Sequence, residues 1–481
     1  MKRFLCLVFV AFIVFDTVYS QTDSVRIYTL EECVEIAFKN NIQLKQNELS
    51  VQTADVNTLQ AKAARLPSVN GNATQGLNAG RTIDPATNSF IDQQYLSNNF
   101  SINANLTLFN GFRISNTISQ NQMSREASIY DLKDYRNTLI LNLLNAYVQI
   151  LFNKEQFIIA QNQLSVTQAQ VERTEKLVKA GVVPESNLYD LKSKLAGDES
   201  TFINADNQLG IAKLNLLQLM NVPISEGIME QIDVETPQFA TDTTVEKDNS
   251  ESIYKMAEKT QPSIKSAELR LRSSRYSYDA AVGNMYPRLT LSAQLFTIYS
   301  SQRTQVKGFQ IGPLAPTGAI VNQDPSLLVY EPRVRAEFEK VPFDNQMRDN
   351  FAQSVSLNLI VPIYNNRQLR SAAQTASITR KNAELNLENS KLQLRKRIEQ
   401  AYVDAKLAQK RFEASEAQVK ANEEAFRVTE KRFNSGVINS VDYNVSSNTL
   451  MQSRSTLLQS KYDMILKKKI LEFYKYNDLS Y

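Results

Sequence analysis

Phe100-Ser101-Ile102-Asn103-Ala104-Asn105-Leu106-Thr107-Leu108 alternates apolar and polar residues without a break, and Phe109-Asn110-Gly111-Phe112 follows it. Strict alternation sends one kind of side chain to each face of a strand. No proline occurs from Ala86 to Val183, so the strand leads into a stretch able to form one long helix. About ten residues is also the length that a tilted membrane-crossing strand needs. A soluble sandwich with one wet face and a membrane barrel with an apolar outer face both carry this pattern.

Three further segments read the same way. Val355, Leu357, Leu359, Val361 and Ile363 alternate with Ser354, Ser356 and Asn358, and Leu289, Leu291, Ala293 and Leu295 alternate with Thr290, Ser292 and Gln294. The stretch from Val69 to Ala79 alternates more weakly. The expected strands are about 68–80, 98–109, 287–299 and 352–364. Phe109, Phe112, Tyr286 and Tyr364 stand at strand ends, where interfacial aromatic girdles of membrane barrels lie. Four strands cannot close a barrel around a pore. Several copies must therefore contribute, and three would give twelve strands.

The chain is written twice. Ala37, Lys45, Glu48, Leu49, Ala61 and Pro67 recur 220 residues on as Ala257, Lys265, Glu268, Leu269, Ala281 and Pro287. Ala146-Tyr147-Val148, Thr174-Glu175-Lys176 and Gly181-Val182 recur 255 residues on as Ala401-Tyr402-Val403, Thr429-Glu430-Lys431 and Gly436-Val437. Two constant offsets imply one duplication and one insertion of 35 residues between Pro287 and Tyr364. Pro313, Pro316, Pro325, Pro332 and Pro342 fall in this inserted region, which accordingly reads as loop over about 300–350.

Within each half a seam repeats every seven residues. Leu143, Ile150, Phe157, Leu164, Val171 and Val178 match Ile398, Ala405, Phe412, Val419, Phe426 and Phe433. Small and polar companions such as Ala160, Thr167, Ala408 and Ser415 lie three or four positions away. Such a seam predicts left-handed supercoiling and thin, close helix packing. The long helices, roughly 112–180 and 367–435, would each reach about 100 Å at about 1.5 Å per residue. Gly181 and Gly436 supply left-handed helix ends, Pro184 suits the first turn of the next helix, and a shorter helix returns. On the helices alone, a coiled-coil rod fits equally well.

Met1-Lys2-Arg3, an apolar run from Phe4 to Phe15 and small residues near Ser20 describe a signal peptide over 1–20. The run is too short to span a bilayer. Cys6 does not sit in a lipoprotein box. The whole chain of 481 residues holds no histidine, no tryptophan and two cysteines, Cys6 and Cys33. Histidine-based triads, histidine–metal sites and disulfide frameworks are therefore excluded, and no catalytic, cofactor or metal site is expected. Basic and acidic residues number 54 and 50, which leaves no nucleic-acid footprint. The domains read as a first repeat over 21–250 and a second over 251–481. The first holds a helix, two strands, a coiled-coil hairpin about 112–222 and a linker 223–250. The second holds a helix, two strands, a long extracellular loop about 300–350 and a hairpin about 366–477.

The order of elements, the duplication, Leu108-Phe109-Asn110-Gly111-Phe112 with its echo Ile363-Tyr364-Asn365-Asn366, and Thr429-Glu430-Lys431-Arg432-Phe433-Asn434-Ser435-Gly436-Val437 with Ser440 and Asp442 resemble the TolC family of outer-membrane efflux proteins. The resemblance covers essentially the whole mature chain. It implies a mainly α chain with membrane β: a homotrimer with a twelve-stranded β-barrel in outer-membrane lipid, continued across the periplasm by an α-helical coiled-coil barrel. It implies a passive exit duct for an inner-membrane pump, for efflux or type I secretion, joined through a periplasmic adaptor.

The same resemblance assigns sites. Asp442 matches the position that rings the periplasmic aperture with carboxylates, although Asn439 and Asp442 also read as a capping pair at a helix start. A second aspartate is replaced by Val445, a latch arginine by Ile438, and the first-repeat aspartate by Asn187. An apolar constriction of Val437, Ile438 and Val445 is the competing gate. Adaptor docking would use Lys176, Lys179, Gly181, Val182 and Val183 with Lys431, Arg432, Gly436 and Val437. The alternative to a duct is a pore-less secreted coiled-coil structural or tethering protein.

Overall fold

The computed structural model describes residues 26–84, 88–92, 94–223, 232–236 and 249–476. The expected signal peptide over 1–20 and most of the expected linker 223–250 lie outside them. The chain divides into two units.

The first unit draws on Met1–Val51, Ala127–Ala267 and Leu387–Tyr481. A short strand β1 (Arg26–Tyr28) precedes α1 (Leu30–Asn40) and the start of α2 (Ile42–Ala63). A capping box opens α1: the Glu32 N–H donates to Thr29 Oγ1 at 3.2 Å and the Thr29 N–H to Glu32 Oε2 at 3.2 Å. Most of α3 (Arg113–Lys179), with α4 (Glu185–Met220), makes the first helical hairpin; most of α8 (Gln368–Asn434), with α9 (Ser440–Tyr476), makes the second.

The heptad seam is buried as its spacing dictates. Leu394, Ile398, Ala401, Ala405, Ala408, Ser415 and Val419 line one stripe of α8, at intervals of four and three with one step of seven from Ala408 to Ser415. On α3 the seam tightens around Leu143, Leu144, Tyr147, Ile150 and Leu151, which pack with Leu216, Leu217 and Met220 of α4 and Cys33 and Ala37 of α1. Serines in the seam are satisfied across it: Ser460 Oγ bonds Ser415 Oγ at 2.9 Å, so close approach here pairs both buried hydroxyls.

One element inside the expected linker had no signal in the sequence. Ile232–Val234 forms β6, which pairs in parallel with β1. The Tyr147 hydroxyl lies 2.6 Å from the Glu235 carbonyl oxygen and 3.1 Å from that of Tyr28, pinning both strands to α3.

The second unit, Gln52–Glu126 and Glu268–Asn386, holds the long strands. These are β2 (Ser68–Asn78), β5 (Tyr95–Asn110), β7 (Arg288–Ser300) and β10 (Ala352–Ile360), antiparallel in the order β10-β7-β5-β2. The register sorts side chains into rows. Val355, Ala293, Ala104 and Val69 stand side by side; the next row is Ser354, Gln294, Asn103 and Asn70. Because the pleat alternates faces, one face is apolar and the other polar. A bulge at Leu108 shifts the end of β5, so that Phe109, and not Leu108, pairs with Leu289. The alternation read from the sequence runs through Leu108; the extra residue moves the apolar row one place on.

Each strand-to-helix turn takes two consecutive left-handed residues: Gly111 and Phe112 (φ 64° and 63°) before α3, Asn366 and Arg367 (φ 51° and 63°) before α8. The duplication is thus visible in the backbone. At Gly111 the fold also requires the missing side chain. A Cβ there would stand 2.1 Å from the Gly283 carbonyl oxygen, at the end of α6 (Pro262–Gly283).

The region 300–350, expected as loop, is instead built. Strands β8 (Thr304–Val321) and β9 (Asp324–Lys340) form an antiparallel hairpin, followed by α7 (Phe343–Asp349). Asn322 and Gln323 make its two-residue turn with φ 50° and 63°. A two-stranded ribbon has two outer edges, where a proline's missing N–H breaks no ladder bond. Its prolines are therefore compatible with strand. A shorter hairpin, β3 (Arg81–Asp84) with β4 (Ser89–Asp92), joins β2 to β5. Among the described residues no helix is long and apolar enough to cross a membrane. The remaining helix, α5 (Ser250–Thr260), opens the second repeat as α1 opens the first.

Candidate functional site at the hairpin ends

Both hairpins turn by the same device. The N–H of Val182 donates to the Leu177 carbonyl at 2.9 Å and that of Gly181 to Val178 at 2.9 Å; Val437 to Arg432 at 2.9 Å and Gly436 to Phe433 at 3.0 Å repeat the pattern. These are paired Schellman closures, with the glycines at φ 73° and 72°. Pro184 caps α4 from just outside the helix, at ψ 148°, rather than entering the first turn. At the other turn Asn439 Oδ1 accepts the Asp442 N–H at 2.9 Å. Asp442 therefore stands in a capped first turn, where a carboxylate is favoured by the helix dipole.

The two turns meet side by side. Ser440, buried, donates its hydroxyl to Asp190 Oδ2 at 2.7 Å and lies 3.4 Å from Asn187 Oδ1. Arg173 Nη1 donates to Asn434 Oδ1 at 2.8 Å. Tyr443 stacks on Phe433 with ring centres 4.6 Å apart and touches Phe426 at 5.5 Å. Burial, with the charges of Glu430 and Asp198, pushes the Tyr443 phenol up, so it stays neutral.

About two turns further along the helices, Asp198 accepts from Thr167 Oγ1 at 2.7 Å and pairs with Lys194 at 3.5 Å. Lys194 Nζ also donates to Asn448 Oδ1 at 2.7 Å. The lysine and aspartate side chains are 7% and 15% exposed, so this is a locking network between hairpins rather than a solvated pair.

Of the expected gate residues, Asp442 and Val445 are exposed, while Ile438 and Asn187 are half-buried. Asn187 is brought against the other hairpin; Asp442 and Val445 are left outward. Lys176, Lys179, Gly181 and Val182 are exposed and Val183 half-buried; Lys431, Arg432, Gly436 and Val437 are exposed. In the second unit Phe109 and Phe112 meet edge to face at 5.4 Å, and Phe112, Tyr286 and Tyr364 are exposed.

The residue that sequence reasoning missed is Asp190. Moving Val445 back by the constant offset of 255 lands on it. The carboxylate absent from the second repeat is present in the first, engaged with Ser440. Among the described residues no group of histidine, cysteine or carboxylates is placed to hold a metal.

The profile of the family described as outer membrane efflux protein matches residues 34–222 and 253–472. The chain belongs to that family. The pyoverdine export outer membrane protein OpmQ of Pseudomonas putida is 22% identical over 415 residues, 85% of this chain and 77% of that one. An uncharacterized protein of Haemophilus influenzae is 22% identical over 275 residues, 57% of this chain; the match spans 58% of that relative's length. The outer membrane protein VceC of Vibrio cholerae superposes with a TM-score of 0.71 at 15% identity, covering 92% of this chain and 95% of that structure. At such identity the superposition establishes the fold. As an outer membrane efflux protein, this chain is a non-enzymatic channel of the outer membrane.

Proposed function

We propose that three copies of this chain form one duct: a twelve-stranded barrel in the outer membrane continued by the helical hairpins across the periplasm. The duct would carry cargo passively from an inner-membrane pump, through a periplasmic adaptor, to the outside. The sheet β10-β7-β5-β2 carries this reading. One face is apolar, with Val355, Leu357 and Leu359 exposed, and β2 and β10 are its outer strands among the described residues. In hydrocarbon each unpaired backbone group costs several kcal/mol. Strand β10 of one copy would therefore pair with β2 of the next until the ring closes.

The Schellman turns present small and basic residues outward. A helical adaptor tip would dock on Gly181, Val182, Gly436 and Val437, with Lys176, Lys179, Lys431 and Arg432 around them. Asp442 supplies the aperture's carboxylate, since Asp190 is already held by Ser440. Opening would be a small shift in coiled-coil packing, biased by adaptor binding. The test is reconstitution in planar bilayers with mass measurement in detergent. Trimers giving discrete conductance steps are expected; a non-conducting monomer would overturn the reading. Gly181→Trp with Gly436→Trp should abolish pump-dependent resistance while conductance persists; retained resistance would end the docking assignment.

A further inference from the structure

The β8–β9 hairpin is an amphipathic ribbon. Its rungs Phe309–Ala336, Ile311–Val334 and Leu314–Pro332 are cross-strand pairs, and β9 is regular from Leu328 to Lys340, so these residues share one face. The alternate positions of β9 are Arg333, Arg335 and Glu337. The apolar face is uncovered: Ile311 is 77% exposed and Phe309 68%. Over the regular stretch Leu328–Lys340, at about 3.4 Å per residue and two strands' width, the face offers roughly 400 Å². An exposed apolar patch of that size often marks an interaction site.

The root of the ribbon is fixed. Gln346, buried, accepts the Ser300 N–H at 3.0 Å and donates to the carbonyls of Ser300 at 3.0 Å and Val341 at 2.8 Å. Asn350 Nδ2 donates to the Ile298 carbonyl at 2.6 Å, and Phe343 packs on Tyr299 at 5.1 Å. A rigid root that holds out a bare apolar face points to a partner surface.

We propose that this face is covered by a second copy of the chain, at the β3–β4 hairpin. The inference rests on the trimeric reading above. Three observations carry it. The ribbon leaves the sheet between β7 and β10, the pair at one edge, whereas β3–β4 leaves it between β2 and β5, the pair at the other. Both connectors rise from the same end of the sheet, since Asn78 pairs with Tyr95 and Ser97 with Ser300. When β10 of one copy meets β2 of the next, the two hairpins are neighbours across that seam. The β3–β4 hairpin presents a matching apolar rung, Ile83–Phe90, exposed at 46% and 72%.

Lipid is the poorer occupant. Both outer edges of a two-stranded ribbon carry unpaired N–H and C=O groups, which hydrocarbon would not tolerate.

The test joins Phe309→Cys with Phe90→Cys in the full chain, purified in detergent, and treats it with a bismaleimide. Covalent dimers and trimers are expected from the double variant and only monomer from either single variant on a denaturing gel. Ile311→Ser with Val334→Ser should dissociate the trimer in SDS at a temperature that leaves the unsubstituted trimer intact, with conductance unchanged. Conducting trimers in which the double variant gives no cross-link would overturn the proposal alone, and quenching of a Phe309→Cys fluorophore by brominated lipid would then name lipid as the occupant. Cross-linking by Phe309→Cys alone would overturn it in favour of hairpins meeting one another. Monomers by light scattering would remove the trimeric reading and this surface together.

Discussion

Gly111→Ala is expected to be among the most damaging alanine substitutions in the chain, although it adds one carbon. Gly111 has φ 64°, and an L side chain in that region costs about 1–2 kcal/mol. Its new Cβ would also stand 2.1 Å from the Gly283 carbonyl oxygen and 2.7 Å from Tyr286 Cβ. Neither neighbour is the free end of a flexible side chain, so backbone must move, at about 1–3 kcal/mol. The sum, about 2–5 kcal/mol, is a large part of the stability of an ordinary domain. Gly181→Ala and Gly436→Ala provide the control. They share the left-handed φ, 73° and 72°, but a Cβ there meets nothing within 4 Å, so each should lose only about 1–2 kcal/mol. Gly283→Ala separates the two causes. Alanine at a helix end is ordinarily neutral or favourable, yet here its Cβ would lie 2.6 Å from the Gly111 carbonyl oxygen, so it should destabilise. Thermal melting in detergent, followed by the shift of the folded band on gels, gives the ranking. Equal losses at Gly111 and Gly181, or a stabilised Gly283→Ala, would refute the close-packed turn.

Other expectations follow from single groups. Burial pushes the Cys33 thiol up to about 12, so in a chain expressed without residues 1–20 it should resist maleimide at pH 8 until denaturant is added; fast labelling of folded protein would contradict the buried position. Burial also raises the Asp134 carboxyl, against the opposing pull of Arg397 and Ser263. Its folded form binds the proton more tightly, so stability from this group grows as pH falls. Asp134→Asn should raise the melting temperature at pH 7, with the gain vanishing in acid below the ordinary carboxylate range; a loss at pH 7 would contradict this. Lys194→Met should cost about 1–3 kcal/mol by stranding Asp198, and Lys194→Met with Asp198→Leu less than the sum of the two single changes; strict additivity in a double-mutant cycle would show the pair to be uncoupled. Asp442→Asn should lower cation selectivity and alter conductance in planar bilayers if the carboxylate lines the aperture; an unchanged trace would assign closure to Val437, Ile438 and Val445.

Elements whose signal is local and periodic are legible in the amino-acid order alone. Ile398, Ala405 and Val419 announce a supercoiled helix because a repeat of seven can keep only one stripe against a partner. Ser354 to Leu359 announces a two-faced strand, and Gly181 and Gly436 mark turns because only glycine takes φ near 70° without strain. The offset of 255 then carried each reading from one half to the other. Tertiary structure decided what depends on partners far along the chain. Tyr28 pairs with Val234, and three-residue strands hold too few residues to show a period. The bulge at Leu108 exists only relative to β7. The β8–β9 ribbon was concealed by its prolines and by a turn of Asn322 and Gln323, since glutamine rarely adopts φ above zero. Asp190 gained its role from Ser440, 250 residues away. Periodicity is set by the backbone's own geometry and so is written in the chain; pairing is set by which surfaces packing brings together, and only the folded molecule specifies that.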